Sequence, residues 1–411
     1  MRRHPASPSE SPRAVPDHRD LAEYVRTAAA HSPGRPAFRT ASRLLTWGAL
    51  DARVEALASE FAALRPAAPA AGGGGCPPRL VLALADGLDF AAAYFGCLRA
   101  GLVAVPVDPR APAGWRAHVL ADSGAAAVLD ADGIRHTSPV PGSSPGGAEA
   151  PALLLYPPSG SAVMLPHRAL LAHHAQLSQV EPPLVRGDDT VLVAAPLHQV
   201  YGLNCGVGAV AYHGACGVLA DHTDPAGVRE LVAAHHVTTV LGVPSLYAGW
   251  AGLPGVDADL ETVRVAACGP VPPEPGVAAR FTARTGQPIF SGYGLAEAGP
   301  VVTTTLVDAG RRAAAADGGV RIGSPLPGVR VGLRAPDGRL VPVAPHADAA
   351  PARGELAVSG PNLFTGYWPD SRGGPDRDGW WATGDRAYAD VNGVLYLEGR
   401  GGPGPRAAEG E

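Results

Sequence analysis

The sequence predicts an α/β protein with two helix-flanked sheets and a small β-rich subdomain. From about residue 20 to residue 320, short apolar runs alternate with segments of helical periodicity, which implies βαβ units and a largely parallel sheet. After about Val320 the long helical patterns stop, and short strand-like runs are separated by Pro, Gly and Asp turns. Hydrophobic residues make up 46% and charged residues 17%, a globular composition.

The elements of the α/β region follow from their periodicity. An amphipathic helix begins at Leu21. Short apolar runs predict eight strands, at Leu80–Ala85, Val103–Val107, Ala126–Leu129, Ala152–Tyr156, Thr190–Ala194, Val237–Val243, Val263–Ala267 and Pro288–Ser291. Helical spacing predicts further helices at Leu50–Leu64, Phe90–Ala100, Trp115–Ala121, His167–Gln179, Leu203–Ala211, Ala226–His235 and Pro275–Thr285.

The change of pattern divides the chain into four parts. Residues 1–18 are rich in Pro, Ser and Arg and are predicted to be disordered. Residues 19–320 form the α/β region. Residues 321–400 form the β-rich subdomain, with short strands predicted at Val329–Leu333, Gly354–Ser359 and Val394–Leu397. Residues 401–411 are a polar Gly/Pro tail, predicted to be flexible.

Composition excludes several classes of protein. No apolar run reaches the roughly 18–20 residues that span a bilayer, and the Met1–Pro5 start does not resemble a secretory signal. The net charge of −5 without a basic cluster argues against a nucleic-acid partner. Five scattered cysteines indicate reduced thiols in a cytoplasmic protein rather than a disulfide or zinc framework. Nothing in the sequence predicts an oligomeric state.

The segment Ser291–Pro300 carries the strongest indication of chemistry. A predicted strand ends in Gly292, Tyr293 and Gly294, and Glu297 follows near a predicted helix start. Glycines let backbone approach a ligand, a tyrosine face can stack on a purine, and a glutamate can hold Mg²⁺. An ordinary strand-to-helix turn is the alternative interpretation of this segment alone.

A second segment lies further along the chain. Trp381–Asp385 is followed by Asp390–Arg400. An aspartate in a tight glycine turn, such as Asp385, can accept hydrogen bonds from both hydroxyls of a ribose, and Arg400 can add a cation nearby.

With both segments in this order and at this separation, the chain resembles the adenylate-forming superfamily. That superfamily comprises acyl-CoA synthetases, fatty-acyl-AMP ligases, luciferases and the adenylation domains of peptide synthetases. The resemblance covers roughly residues 20–400, and the fold it implies is that of the family's N-terminal domain. Further matching segments are Leu45–Leu50, Ala91–Pro109, Pro196–Leu203, Val243–Ser245, Cys268–Pro270, Arg321–Pro325 and Gly354–Leu356.

The resemblance implies roles for particular residues. His198 and Glu297 are the candidate catalytic residues, with Glu297 also the candidate metal ligand; for His198 a packed histidine is the equal alternative. Gly269, Gly292, Tyr293, Gly294, Asp385 and Arg400 are the candidate nucleotide-binding residues. Gln199, Tyr201, Val243, Ser245 and Cys268 are the candidate acyl-pocket residues. His173 and His174 lack a metal-ligand pattern and are interpreted as helix-face residues.

The chain departs from the family pattern where the family binds phosphates. Tyr156–Ala162 is shorter than the family's Ser/Thr/Gly loop and lacks its lysine; the whole chain holds 33 arginines and no lysine. Pro157 and Pro158 offer no backbone N–H to a phosphate. Ala296 stands where the family usually has a threonine. The chain also stops soon after Arg400, so we expect the family's C-terminal lid domain and its lysine to be absent.

These departures define the functional hypotheses. The first is an AMP-dependent ligase homologue that binds a carboxylic acid or a carrier-bound acyl group, with adenylation impaired or lost. ATP or AMP and Mg²⁺ would then bind weakly or not at all. The alternative is a non-adenylating acyl-binding pseudoenzyme, a partner protein, or a repurposed catalyst acting on a carrier-protein-tethered substrate in a biosynthetic pathway. The third hypothesis is that the chain is a decayed remnant of such an enzyme. The replacement of every lysine by arginine suggests a GC-rich genome, which is compatible with secondary metabolism.

Overall fold

In a computed structural model of the chain, the described residues are 18–65, 76–138, 147–157, 161–309, 319–343 and 352–399. The expectations for residues 1–17 and 401–411 lie outside these ranges. Within the described residues the strands form three sheets, of seven, seven and eight strands. The fold class predicted from the sequence is confirmed. The domain boundary near residue 320 stays a prediction.

The helices and strands have the following bounds. The helices are α1 (Ala22–His31), α2 (Trp47–Phe61), α3 (Leu88–Arg99), α4 (Ala113–Ser123), α5 (His167–Leu177), α6 (Ala209–His213), α7 (Pro225–His235), α8 (Pro244–Gly252), α9 (Val256–Asp259) and α10 (Pro275–Thr285). The strands up to residue 268 are β1 (Pro36–Arg39), β2 (Leu44–Thr46), β3 (Arg79–Leu82), β4 (Val103–Pro106), β5 (Ala127–Asp130), β6 (Gly133–His136), β7 (Pro151–Leu155), β8 (Val163–Pro166), β9 (Thr190–Ala194), β10 (Cys216–Leu219), β11 (Thr239–Gly242) and β12 (Val265–Cys268). The remaining strands are β13 (Ile289–Phe290), β14 (Gly292–Gly294), β15 (Val301–Thr304), β16 (Val320–Pro325), β17 (Arg330–Arg334), β18 (Leu340–Pro342), β19 (Ala352–Ser359), β20 (Gly366–Tyr367), β21 (Trp381–Ala389) and β22 (Leu395–Gly399).

The first sheet has the order β13-β12-β11-β9-β10-β1-β2. All its neighbours are parallel except β1 and β2. Strands buried on both faces of a parallel sheet are mostly apolar, as residues 191–194 of β9 are. The carboxyl ends of β9, β11, β12 and β13 therefore meet at one edge of this sheet.

The second sheet has the order β20-β8-β7-β4-β3-β5-β6. Its centre, β7-β4-β3-β5, is parallel, whereas β8, β20 and β6 add antiparallel edges. Helix α3 between β3 and β4 is buried almost completely around Tyr94 and Phe95. Strand β20 joins this sheet from far along the sequence, so residues near 366 lie beside β8.

The third sheet is antiparallel throughout, with the order β14-β15-β16-β22-β21-β19-β17-β18. Its first two strands belong to the segment Gly292–Thr304, which the sequence placed in the α/β region. As a result, the Gly292–Gly294 strand follows β13 directly and connects the first sheet to the third.

Local signals explain several helix ends. The Thr46 hydroxyl caps α2 by accepting from Ala49 N–H at 3.2 Å. Asp224 caps α7 by accepting from Gly227 N–H at 3.0 Å, with Pro225 at the first helical position. Gly286 ends α10 with φ of 73°, a left-handed conformation that favours glycine.

Among the described helices, none is long and apolar enough to cross a membrane.

Candidate functional site

The predicted site residues follow neighbouring strands of the first sheet. Tyr201 lies beyond β9, Val243 follows β11, Cys268 ends β12 and Gly292 comes directly after β13. Ligands of open α/β sheets bind outside the carboxyl ends of the strands. The sheet order therefore brings these segments to one edge.

A cavity opens at this edge, with about 630 Å³ of empty space counted to its mouth. That figure includes open solvent; the enclosed part of the space is about 60 Å³, which is small beside the roughly 300–1,000 Å³ of small-molecule sites. Six of the sequence-predicted residues line it: Tyr201, Cys268, Gly269, Gly292, Tyr293 and Gly294. The other lining residues are Leu177, Val180, Leu184, Cys205, Ala267, Pro270, Phe290, Ser291, Pro300, Val301, Thr304 and Leu306.

Tyr201 is packed across Gly269 at the wall of the cavity. It opens a π-helix, Tyr201–Gly208, a form that is rare and frequently found at functional sites. A Cβ on Gly269 would lie 2.5 Å from Cε2 of the Tyr201 ring, so the ring needs a glycine there. Tyr201 is 6% exposed, and burial raises the pKa of its phenol above the ordinary value, which keeps it protonated.

The glycines of the Gly292–Gly294 strand are explained by the hairpin that this strand forms with β15. A Cβ on Gly292 would lie 2.1 Å from the carbonyl oxygen of Thr303. A Cβ on Gly294 would lie 1.8 Å from the carbonyl oxygen of Pro300. Because both clashes are with backbone, the chain itself requires glycine at these positions. Their contact with a nucleotide stays a prediction.

Tyr293 and Asp385 lie together, although 92 residues separate them. The Tyr293 phenol donates a hydrogen bond to Asp385 Oδ2 at 2.8 Å, and both residues are buried. The carboxylate that the resemblance assigns to a ribose is engaged here by a phenol of the same chain.

Glu297 has a similar environment. It lies in a short 3₁₀ turn, Ala296–Ala298, and is 3% exposed. Tyr367 of β20 donates its phenolic hydrogen bond to Glu297 Oε1 at 2.7 Å. Phe364 N–H donates to the backbone carbonyl of Glu297 at 2.8 Å. The candidate metal ligand is thus buried and held by the segment 364–367, and its metal role stays a prediction.

His198 lies after β9, half-buried, and does not line the cavity. Burial lowers the pKa of its imidazole below the ordinary value, and the carboxylates of Asp86 and Asp108 oppose that shift. Asp86 in turn accepts from Leu197 N–H at 3.0 Å, which ties the end of β3 to the segment that carries His198. A partly buried imidazole near carboxylates can transfer protons. The catalytic role of His198 stays a prediction.

Three predicted acyl-pocket residues lie away from the cavity wall. Gln199 is exposed. Val243 is buried but turns into α8, and Ser245 is exposed on the first turn of that helix. Arg400, and residues 158–160 of the shortened phosphate segment, lie outside the described residues.

Two polar contacts that hold the turn at Gly299–Val301 were not predicted from the sequence. His173 on α5 is fully buried, and its Nε2 accepts from Val301 N–H at 3.1 Å. Asn204 of the π-helix donates to the Gly299 carbonyl at 2.6 Å. Both contacts hold the turn that carries Glu297, and the helical spacing alone gave no signal for them.

In the part of the chain that the structure describes, no group of three or more His, Cys, Asp or Glu side chains could hold a metal ion.

The three-sheet fold and the cleft at the strand ends are those of AMP-binding enzymes. The chain belongs to the AMP-binding enzyme family, whose model matches residues 25–153 and 161–368. It is 31% identical over 398 residues to a feruloyl-CoA synthase of Amycolatopsis, covering 90% of this chain and 76% of that protein. It is 27% identical over 465 residues to a long-chain-fatty-acid–CoA ligase of Salmonella typhimurium, covering 96% and 79%.

Solved structures agree on the fold. The N-terminal domain of FACL13 from Mycobacterium tuberculosis superposes with a TM-score of 0.75 at 20% identity, covering 92% of this chain and 100% of that one. ATP-bound MatB from Rhodopseudomonas palustris superposes with a TM-score of 0.76 at 19% identity, covering 93% and 78%. At these identities the likeness concerns the fold.

Proposed function

We propose that the chain binds an acyl group at the cleft beside the Gly292–Gly294 strand and forms acyl-adenylates poorly or not at all. The observation that carries this proposal is the segment Tyr156–Ala162, which has two prolines and no basic residue. The family match is interrupted at residues 154–160, within and just before this segment. The departure therefore falls where the resemblance expects the phosphates of ATP.

The nearest cation along the chain does not offer a substitute for the family's lysine. Arg168 pairs with Glu149 through two hydrogen bonds, of 2.6 Å and 2.7 Å. Its remaining nitrogen donates to the carbonyls of Pro361 and Leu363, at 3.1 Å each. Each lost charge-assisted phosphate contact weakens binding by about 1.5–3 kcal/mol. A lost transition-state donor lowers the rate by a factor on the order of 10²–10³.

The two candidate nucleotide carboxylates support the same proposal. Asp385 and Glu297 each accept a hydrogen bond from a buried phenol. A ribose or a metal ion would have to compete with these contacts. Nucleotide binding is then weak, with Mg²⁺ held weakly or not at all.

The acyl side of the cleft supports retained substrate binding. Tyr201, Cys268 and Gly269 surround an apolar cavity at the strand ends. Curated relatives act on feruloyl and long-chain acyl groups, by their names. We extend the proposal to acyl groups tethered to a carrier protein, since an acyl pocket without a phosphate cradle can still accept an acyl group that was activated elsewhere.

Calorimetric titration of the chain with adenosine, AMP and ATP, with and without Mg²⁺, tests the proposal. Without a triphosphate cradle, ATP gains nothing over AMP, so we expect the two affinities to agree within about threefold and to be weak. An Asp385→Asn variant is the control for specific binding and should weaken both nucleotides equally. ATP binding more than tenfold tighter than AMP would contradict the proposal, because other groups would then have rebuilt the cradle.

A further inference from the structure

A second cleft, the β17–β19 cleft, opens on the third sheet where β17 begins and β19 ends. Its volume is about 670 Å³, within the roughly 300–1,000 Å³ of small-molecule sites. The described residues that line it are Gly328, Val329, Arg330, Ser359, Gly360, Pro361 and Gly379. It shares no described lining residue with the cavity at the strand ends of the first sheet. It is therefore a separate site.

Strand register explains how the charged group of the β17–β19 cleft is placed. Arg330 and Ser359 are directly opposite in the antiparallel pair of β17 and β19, so their side chains share one face of the sheet. Arg330 Nη2 donates to Ser359 Oγ at 2.6 Å. The guanidinium of Arg330 also lies over the Trp380 ring, with Cζ 5.0 Å from the ring centroid. Two contacts therefore orient a side chain that belongs to an exposed residue.

Both side chains keep donors for a ligand. A guanidinium has five N–H donors, and among the described residues the Arg330 side chain uses one nitrogen, on Ser359. Ser359 is 3% exposed, and within the described ranges its hydroxyl hydrogen has no acceptor. Because the oxygen that accepts from Arg330 still carries its own proton, an acceptor placed in the cleft would complete the hydrogen bonds of a buried hydroxyl.

The charge of the β17–β19 cleft favours an anion. Arg330 is the one charged side chain among the described residues that line it. Asp376 and Asp378 lie close to Gly379 in the chain, but neither lines the cleft. Asp376 Oδ1 accepts instead from the N–H groups of Asp378 and Trp380, at 3.0 Å and 2.9 Å. Three of the lining residues are glycines, which let the oxygens of a ligand approach the backbone.

We propose that the β17–β19 cleft binds the phosphate group of a small phosphorylated molecule, with Arg330 and Ser359 as its donors. A guanidinium and a neighbouring hydroxyl can donate to different oxygens of one phosphate. A phosphate monoester also carries more negative charge near neutral pH than a carboxylate does. This site goes beyond the proposed function and does not depend on it, because no residue assigned to acyl or nucleotide binding takes part.

Calorimetric titration of the full chain at low ionic strength tests the ligand class with three probes of similar size. Glycerol 3-phosphate carries a phosphate monoester, glycerate carries a carboxylate, and glycerol carries neither. We expect glycerol 3-phosphate to bind about threefold tighter than glycerate or more, because of its greater charge and its third oxygen, and glycerol not to bind. Glycerate binding as tightly as glycerol 3-phosphate, or no saturable binding of glycerol 3-phosphate, would overturn the proposal.

Arg330→Gln tests the charged donor. We expect it to lower the affinity for glycerol 3-phosphate by about fivefold or more, a loss moderated by the solvent exposure of the site. Arg334→Gln is the matched control, because Arg334 lies on the same strand and does not line the cleft, so the same charge is lost elsewhere. Unchanged affinity in Arg330→Gln, or an equal loss in both variants, would show adventitious binding to surface charge and overturn the proposal.

Ser359→Ala tests the buried hydroxyl while the charge of the cleft stays the same. We expect the affinity for glycerol 3-phosphate to fall by about threefold or more, because one donor is lost. Ser359→Thr keeps a hydroxyl and should bind more tightly than Ser359→Ala. Thermal unfolding without ligand establishes that each variant is folded. Wild-type affinity in folded Ser359→Ala would overturn the role of Ser359.

Discussion

Asp385 and Glu297 show how single contacts bear on function. Each carboxylate accepts from a tyrosine, at 2.8 Å and 2.7 Å respectively. Neither phenol is near its carboxylate in sequence, since Tyr293 and Tyr367 lie 92 and 70 residues away. Residue identity alone predicted ligands for a nucleotide, whereas the fold supplies each carboxylate with an internal donor.

Gly269 gives a prediction at the same scale. Gly269→Ala places a Cβ where the Tyr201 ring lies, 2.5 Å from Cε2. The ring must move into the cavity, so we expect acid affinity to fall by about tenfold, in line with the 1–3 kcal/mol typical of overpacking. Calorimetry with hexanoate or 4-methylcinnamate measures the change.

Gly114→Ala is the matched control for that substitution. Gly114 lies in α4, and nothing lies within 4 Å of the position of its Cβ, so the substitution should leave acid binding unchanged. Equal acid affinity of Gly269→Ala and Gly114→Ala would show that Tyr201 does not limit the cavity.

At the scale of elements, helix α5 carries two buried histidines. Burial lowers the pKa of His173 well below its ordinary value and that of His174 to about 4. His174 is enclosed by Tyr24 of α1 and Tyr212 of α6. Its Nε2–H donates to the Asn204 carbonyl at 2.9 Å, and in that neutral tautomer its Nδ1 accepts from the Tyr24 phenol at 3.2 Å. Both histidines therefore lie on the buried face of α5.

These histidines predict a pH dependence of stability. A group whose pKa is depressed by folding stabilises the fold above its unfolded pKa, here about 6.5, and this stability is lost as the pH falls toward about 4. Each such histidine contributes up to about 1.4 kcal/mol per pH unit in that window. Urea unfolding at pH 7.5, 6.0 and 5.0 measures the slope.

A matched pair of variants isolates the contribution of α5. His174→Gln should have a shallower slope between pH 6.5 and pH 5 than the wild-type chain, because one depressed titration is removed. His118→Gln, at an exposed position of α4, should keep the wild-type slope. Equal slopes in the wild-type chain and His174→Gln would contradict the assignment.

Some elements were predictable because their signals are local. Helix α10 has the predicted bounds, Pro275–Thr285, with a proline at its start and Gly286 at its end. Strand β9 also has the predicted bounds. Strand β10 was not predicted, because Cys216–Leu219 contains a glycine that weakens strand propensity. The ring of Phe38 requires that glycine, since a Cβ on Gly217 would lie 2.5 Å from its Cδ1.

The site was predictable to a similar extent. Parallel strands ending at one edge brought Tyr201, Cys268, Gly269 and Tyr293 together, and all four line the cavity. The direction of a side chain beyond a strand end is set by the turn that follows it, as the exposed Ser245 on α8 illustrates. Contacts across sheets, such as that from β20 to the Glu297 turn, are long-range and have no local sequence signal.

At the scale of the whole molecule, the chain shares the fold of the AMP-binding enzymes but departs from the family's sequence pattern in one segment. The family match and the three sheets place the chain among AMP-binding enzymes. The segment Tyr156–Ala162, without a basic residue, differs from the family pattern where the resemblance expects the phosphates. Loss of function by random decay would also damage the apolar cleft, which remains lined mainly by apolar residues.

The most direct test of this account is acid-dependent ATP–pyrophosphate exchange, measured beside binding of the same acids as free acids and as carrier-protein thioesters. Exchange reports adenylation alone, because it requires formation of the acyl-adenylate and its reversal. We predict that acids or their thioesters bind while exchange stays at or near background for every acid. Acid-dependent exchange within tenfold of that of the Amycolatopsis feruloyl-CoA synthase would contradict the central claim that acyl binding is retained while adenylation is impaired or lost.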